Sequence, residues 1–167
     1  MKRANVVVEK VFMYSNYFVL FEIEPAFNID LNALEKKYIE LSRQFHPDIN
    51  KGQAKNIINI NKAYEILKSP LKRAEYLLDL FNVENKKDNS NAEILNESME
   101  IREYLIDCDD LQAASKMMNE KIKDCMMNLT SAFAAKDFCD AALQVLRLKY
   151  LYKSFEEVKK NATNSNF

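Results

Sequence analysis

The sequence predicts an all-α protein, an N-terminal helical hairpin joined to a C-terminal three-helix bundle. Three observations predict it. The 167 residues include only Gly 1 and Pro 3, and strands cannot reverse direction without the turn chemistry those residues supply. Apolar residues recur at three- and four-residue intervals through most of the chain, the period of amphipathic helices. Hydrophobic residues make up 48% of the chain, enough to pack those helices, and a chain of this length buries roughly two thirds of its unfolded surface without disulfide or metal staples. The scarcity of glycine also excludes sandwiches, barrels, dinucleotide folds and phosphate-cradling loops.

Residues 1–14 show no amphipathic period and read as an irregular arm. Phe18 to Ile23 form a short apolar run stopped by Pro25, too brief for its pattern to decide between helix and strand. Asp30 is suited to cap a helix over 31–45, because its carboxylate can accept orphan backbone N–H groups. Leu34, Tyr38, Leu41 and Phe45 supply the buried stripe of that helix, and Pro47 ends it by pushing the preceding residue out of the α region. A second helix over 53–68 buries Ile57, Ile60, Tyr64 and Leu67, and Ser69-Pro70 breaks it and opens a third, Leu71 to Phe81. Residues 82–91 have little to bury and mark a linker. Three long helical patterns fill 92–160, and a polar tail occupies 161–167. Their stripes are Ile94, Ile101, Leu105 and Cys108, then Leu111, Ser115, Met118, Ile122, Cys125, Leu129 and Phe133, then Phe138, Ala141, Val145, Leu148, Tyr152 and Phe155.

Charge and cysteine usage narrow the function classes. Lys+Arg 24 nearly balance Asp+Glu 25, for a net charge of -1, which does not suit a dedicated nucleic-acid binder. No apolar run approaches the ~18 residues of a membrane span. The run Val6-Val7-Val8 is stopped by Glu9-Lys10, unlike a secretory signal. Cys108, Cys125 and Cys139 are an odd number without a CxxC pair, and there is one histidine. Reduced thiols in a cytoplasmic protein are expected, with no cofactor, no metal site, and neither nucleic acid nor membrane as partner.

The turn between the first two long helices holds His46-Pro47-Asp48. A tripeptide alone is compatible with a plain turn, proline ending one helix and aspartate capping the next. Its flanks are Leu34-Glu35-Lys36-Lys37-Tyr38-Ile39-Glu40-Leu41-Ser42-Arg43-Gln44-Phe45 ahead and Ile60-Asn61-Lys62-Ala63-Tyr64-Glu65-Ile66-Leu67 behind, with Arg73 and Tyr76 soon after. Over residues 15–81 this assembly resembles the J-domain, the module that activates DnaK-type ATPase chaperones. One departure is Asp48-Ile49-Asn50 in place of the usual Asp-Lys. The resemblance implies that His46, Pro47 and Asp48, with the basic side chains Lys36, Lys37 and Arg43, dock on the ATPase chaperone. The chemistry suits that role. Proline lowers the entropy lost on docking, Asp48 offers a charge to an arginine, His46 donates and accepts in fixed directions, and a basic helix steers encounter.

The second half adds Ile94-Leu95-Asn96-Glu97-Ser98-Met99-Glu100-Ile101-Arg102-Glu103-Tyr104-Leu105 and Val145-Leu146-Arg147-Leu148-Lys149-Tyr150-Leu151. With these, nearly the whole chain resembles the HscB-type iron–sulfur co-chaperones, a family that joins a J-domain to a C-terminal three-helix bundle. The resemblance implies a non-enzymatic co-chaperone of iron–sulfur cluster biogenesis, with an HscA/DnaK-type chaperone and an IscU-type scaffold protein as partners. At ~100° per residue, Leu95, Met99 and Ile106 form an apolar stripe apart from the core stripe of their helix. Leu143, Leu146 and Tyr150 do the same on the last helix. Such stripes either widen the core, pack on the J-domain or bind a partner. The resemblance favours Leu95, Met99 and Tyr150 as scaffold contacts, with Glu100 and Glu103 as an acidic rim. Asn96 stands where the family often has an apolar residue.

Two other functions differ in class. General protein folding through a DnaK-type chaperone would suit a J-domain, but the chain has neither a Gly/Phe-rich segment nor a CxxC zinc module. An enzyme using His46 and Asp48 as an acid–base pair would need a nucleophile, metal cluster or phosphate loop, and none accompanies them.

Overall fold

A computed structural model describes residues 16–46, 54–83, 90–108 and 110–164. The arm at 1–14, Pro47 and Asp48 of the turn, Gly52 and much of the 82–91 segment lie outside the described residues. Among the described residues every regular element is an α-helix, and the chain divides into two compact units, Met1–Leu80 and Phe81–Phe167.

In the first unit, α1 is Tyr17–Leu20, α2 Leu31–Gln44, α3 Ala54–Lys68 and α4 Pro70–Leu80. The short run that pattern alone could not classify is helical. The Asn16 side chain caps it by accepting from the Phe18 N–H at 2.9 Å. Glu22, at φ 56°, ends it in the left-handed region, with the Ile23 N–H reaching back to the Phe18 carbonyl at 2.9 Å. This single turn buries Phe18, Leu20 and Phe21 and packs on α3. Asp30 caps α2 as expected, accepting from the N–H groups of Asn32 (2.8 Å) and Ala33 (3.2 Å). Leu34, Leu41 and Phe45 bury one face of α2 against α3, whose Ile60, Ala63, Tyr64 and Leu67 point inward. Pro70 opens α4, where its missing N–H costs no helical hydrogen bond.

Arg73 locks this unit. The residue is only 5% exposed. Its Nε donates to the Phe27 carbonyl at 2.8 Å and its Nη1 to the Leu67 carbonyl, while the guanidinium lies 5.4 Å from the centre of the Phe27 ring. Burial pulls its pKa below the usual arginine value, from so high a start that it remains a cation. It thereby satisfies carbonyls at the end of α3 and in the segment before α2 that packing would otherwise strand. One turn on, the Tyr76 hydroxyl accepts from the Tyr17 N–H at 2.9 Å, and the two tyrosine rings stack at 4.6 Å.

In the second unit, α5 is Ser90–Asp107, α6 Leu111–Ala135 and α7 Phe138–Asn164. Both α5 and α6 pack along α7. Asp110 caps α6, accepting from the N–H groups of Gln112 and Ala113. The helix ends on Lys136 at φ 57°, a conformation usually left to glycine. The core comprises Ile94 and Ile101 from α5, Ala114, Met118, Cys125, Leu129 and Ala132 from α6, and Ala141, Val145, Leu148 and Leu151 from α7.

Four expected core positions are corrected. Leu111 is exposed because it is the first residue of α6, although it shares the direction of buried Leu129, and Ser115 is half-buried because it lies about 75° from the centre of the inward arc, near Cys125. Cys108 is half-buried: α5 stops at Asp107, so the helical phase does not carry Cys108 inward. Its thiol donates instead to the Asp110 carbonyl at 3.3 Å. On α7, Leu151 occupies the core and Tyr152 is half-buried.

Candidate docking sites

The first site is the outer face of α2 and the residue that follows it. Lys36 and Arg43 are exposed, and seven residues of helix bring them back to within about 20° of the same direction. Lys37 is placed differently. Its ammonium pairs with Glu22 at 3.0 Å and Glu40 at 3.4 Å, and its side chain is 21% exposed. The hydrogen bond to Glu22 raises its pKa, against a smaller desolvation effect that lowers it. Lys37 therefore faces the turn after α1, and because Glu22 is 74% exposed the pair orients the ammonium more than it stabilises the fold. Exposed Ile39 adds an apolar patch between Lys36 and Arg43. Phe45, buried, closes α2 by donating its N–H to the Leu41 carbonyl at 2.9 Å, which leaves the next residue, His46, at the surface.

An aromatic brace holds α2 against α3. The Tyr38 and Tyr64 rings stack at 4.0 Å, the Tyr38 hydroxyl donates to Asn61 Oδ1 at 3.1 Å, and the Lys68 ammonium sits 5.2 Å from the Tyr64 ring centre. Sequence reasoning quoted both tyrosines but did not pair them. The pairing was within reach, since each lies on the inner half of its helix on either side of one turn.

The second site is the outward face of α5. Leu95 is 45% exposed, Met99 54% and Ile106 74%. They fall within about 40° of one another at 100° per residue, while Ile94 and Ile101 face the core. Glu100 and Glu103 are exposed, as is Asn96. Tyr150 is half-buried on α7 and lines a cleft with Ile94, Ser98, Ile101, Leu151 and Ser154. The structure thus places Tyr150 in the seam between α7 and the inward side of α5, around the helix from the outward Leu95–Met99 stripe. Leu143 and Leu146, its companions in the second stripe of α7, are half-buried as well. The two stripes differ: that of α5 is exposed, and that of α7 lies partly inside.

Among the described residues no three His, Cys, Asp or Glu side chains converge as metal ligands, and no helix is long and apolar enough to cross a membrane. Cys125 is buried and donates its thiol to the Gln144 carbonyl at 3.3 Å. Burial pushes its pKa up to about 11, which keeps it protonated and unreactive.

Comparison with known proteins matches both units. The DnaJ domain family matches residues 16–76 and the family described as the HSCB C-terminal oligomerisation domain matches residues 90–159. A co-chaperone protein HscB homolog of Neisseria meningitidis is 36% identical over 162 residues, covering 86% of this chain and 97% of the relative. The mitochondrial J-type co-chaperone JAC1 of Saccharomyces cerevisiae is 30% identical over 147 residues, covering 80% of each chain. Among solved structures, chaperone HscB from Vibrio cholerae superposes with a TM-score of 0.78 at 30% identity, over 89% of this chain and 98% of that one. Human co-chaperone protein HscB gives the same TM-score of 0.78 at 27% identity, over 88% of this chain and 82% of that one.

Proposed function

The chain belongs to the HscB family, the J-type co-chaperones of iron–sulfur cluster biogenesis, and from that premise we propose that it couples an IscU-type scaffold protein to an HscA/DnaK-type ATPase. In this reading the chain reacts with nothing. His46, Pro47 and Asp48, together with Lys36 and Arg43, dock on the chaperone and trigger its ATP hydrolysis. Lys37 contributes an ammonium oriented by Glu22. Leu95, Met99 and Tyr150 anchor the scaffold, and Glu100 and Glu103 rim that contact.

The observation that carries the reading is the exposed Leu95–Met99–Ile106 stripe on α5. A folded helix that buries Ile94 and Ile101 inward gains nothing in stability by turning a second apolar stripe to water. Such patches mark places where another surface is to be covered. The division of labour follows from the chemistry. Charged faces chiefly set association rate and register, whereas central apolar anchors carry binding energy. Holding both partners on one chain makes their encounter intramolecular, which raises their effective concentration without any new contact.

The test is titration of the purified full-length chain with the scaffold protein, followed by calorimetry, alongside sedimentation of the chain alone. Saturable binding by a monomeric chain supports the reading. Absence of binding with the chain self-associated through α5 would replace it with an oligomerisation surface, and delivery of unfolded clients in general without scaffold binding would replace it with a general folding role.

A further inference from the structure

We propose that Glu97 is a positioning residue that fixes the rotation of α5 and so presents the Leu95–Met99–Ile106 stripe; this rests on the scaffold-binding role proposed above. Glu97 stands midway between Leu95 and Met99 but on the opposite side of the helix, about 200° from each. Its carboxylate spans the bundle. One oxygen accepts from Arg147 Nε on α7 at 2.8 Å, and the other pairs with Lys121 on α6 at 3.6 Å. A single side chain of α5 is thus held by both other helices of its unit.

The arginine is itself set in place. Gln144, a buried residue one turn earlier on α7, accepts from Arg147 Nη1 at 3.2 Å and donates to Asp140 at 3.1 Å. Its backbone carbonyl accepts the Cys125 thiol of α6. The guanidinium therefore meets Glu97 already oriented by a network anchored in the core, so the pair imposes direction as well as charge.

Polar side chains also stand at this level of the bundle. Ser98 of α5 and Ser154 of α7 face a cleft between the helices that Ile94, Ile101 and Leu151 line as well. Those apolar side chains are buried and limit how far α5 can turn, but apolar contact is non-directional, and a roll of even a fraction of a residue position would shift the stripe from its outward direction. The Arg102–Glu157 pair at 3.4 Å, another ionic tie between α5 and α7, has both partners nearly half exposed, where such pairs hold little. The half-buried Glu97 clamp supplies the restraint.

If α5 samples rotated states, only a fraction of molecules is competent to bind, and the apparent dissociation constant rises by the inverse of that fraction. The loss then appears in association, because the complex once formed has all its contacts. The experiment uses the full-length chain with Glu97→Gln, Arg147→Gln and the double variant. Scaffold association and dissociation rates are measured well below the melting temperature, with hydrogen exchange of the α5 amides as a second readout. Each single variant is expected to lower the association rate about fivefold with the dissociation rate unchanged, to speed α5 exchange relative to α6, and to couple fully, so that the double variant loses no more than a single one. Wild-type rates and α5 protection in Glu97→Gln would overturn the proposal. So would a loss confined to dissociation and additive with Arg147→Gln, which would make Glu97 a direct contact. A wild-type chain that does not bind the scaffold at all sinks the proposed function instead, and the exchange readout then decides on the clamp alone.

Discussion

The outer faces of α2 and α5 are both exposed, and they are built in opposite ways. α2 presents separated charges, Lys36 and Arg43, on a helix braced by the Tyr38–Tyr64 stack and the Asp30 cap. α5 presents Leu95, Met99 and Ile106 on a helix that meets its own unit chiefly along α7. The contrast follows from what each surface is for. A trigger that acts through a few directed polar contacts needs a rigid platform, since a small misplacement removes the contact. An apolar anchor tolerates looser placement at first encounter and gains its energy on burial. In this account rigidity is concentrated beside the turn, and apolar exposure is concentrated on α5.

The sharpest way to break the comparison is to disable one face while sparing the other. His46→Gln and Asp48→Asn are each expected to abolish stimulation of the partner ATPase. For His46→Gln, at an exposed position, folding stability should stay within about 0.5 kcal/mol, and scaffold binding should be unchanged in both variants. Steady-state ATP turnover and thermal melting check this, and a folded His46→Gln variant that still stimulates normally would refute the docking role.

Next in size is the platform itself. Arg73→Met should destabilise the first unit by about 3 kcal/mol, because the Phe27 and Leu67 carbonyls lose their donor inside the core. Denaturant melts followed separately in the two units should show the loss in the first only. An unchanged midpoint would mean those carbonyls find water or another donor.

On the other face, the triple variant Leu95→Ala, Met99→Ala and Tyr150→Ala should weaken scaffold binding at least tenfold, about 1.4 kcal/mol, with basal ATPase stimulation intact. Exposed Leu95 and Met99 should cost little stability when truncated, whereas half-buried Tyr150 should cost more, so collapse of the Leu95→Ala, Met99→Ala double variant would show that the stripe belongs to the core.

The smallest effects are local. Lys136→Gly should stabilise the second unit by about 1 kcal/mol, by relieving a left-handed conformation at the end of α6. At pH 8 a thiol reagent should label exposed Cys139 readily and buried Cys125 only on unfolding, because burial raises the Cys125 pKa to about 11. A raised folded-state pKa also means that the contribution of this thiol to stability is fully present below its unfolded value and is lost as pH rises toward 11.

The parts of this fold legible in the sequence are those decided within a few residues. Asp30 caps a helix by hydrogen bonds two and three residues ahead, and Pro70 starts one for reasons confined to its own ring. The α5 stripe follows from helical period alone. What stayed hidden depends on distant partners. α1 is helical partly because Tyr17 meets Tyr76 across 59 positions. Lys37 looks like any surface lysine until Glu22 is brought beside it. Glu97 reads as one acid among several on α5, and its distinction is an arginine 50 positions away. Cys108 was misjudged for a local reason, since nothing in the pattern marked the end of α5 at Asp107.

The central claim is that one chain must carry both working faces at once. The direct test mixes two defective full-length variants, His46→Gln with its α5 stripe intact and the Leu95→Ala, Met99→Ala, Tyr150→Ala variant with its turn intact, and measures ATP turnover of the chaperone in the presence of scaffold. The account predicts that the mixture stimulates no more than the second variant alone, because neither chain holds scaffold and chaperone together. Restoration of the full wild-type rate by the mixture would contradict it and make the two faces independent functions.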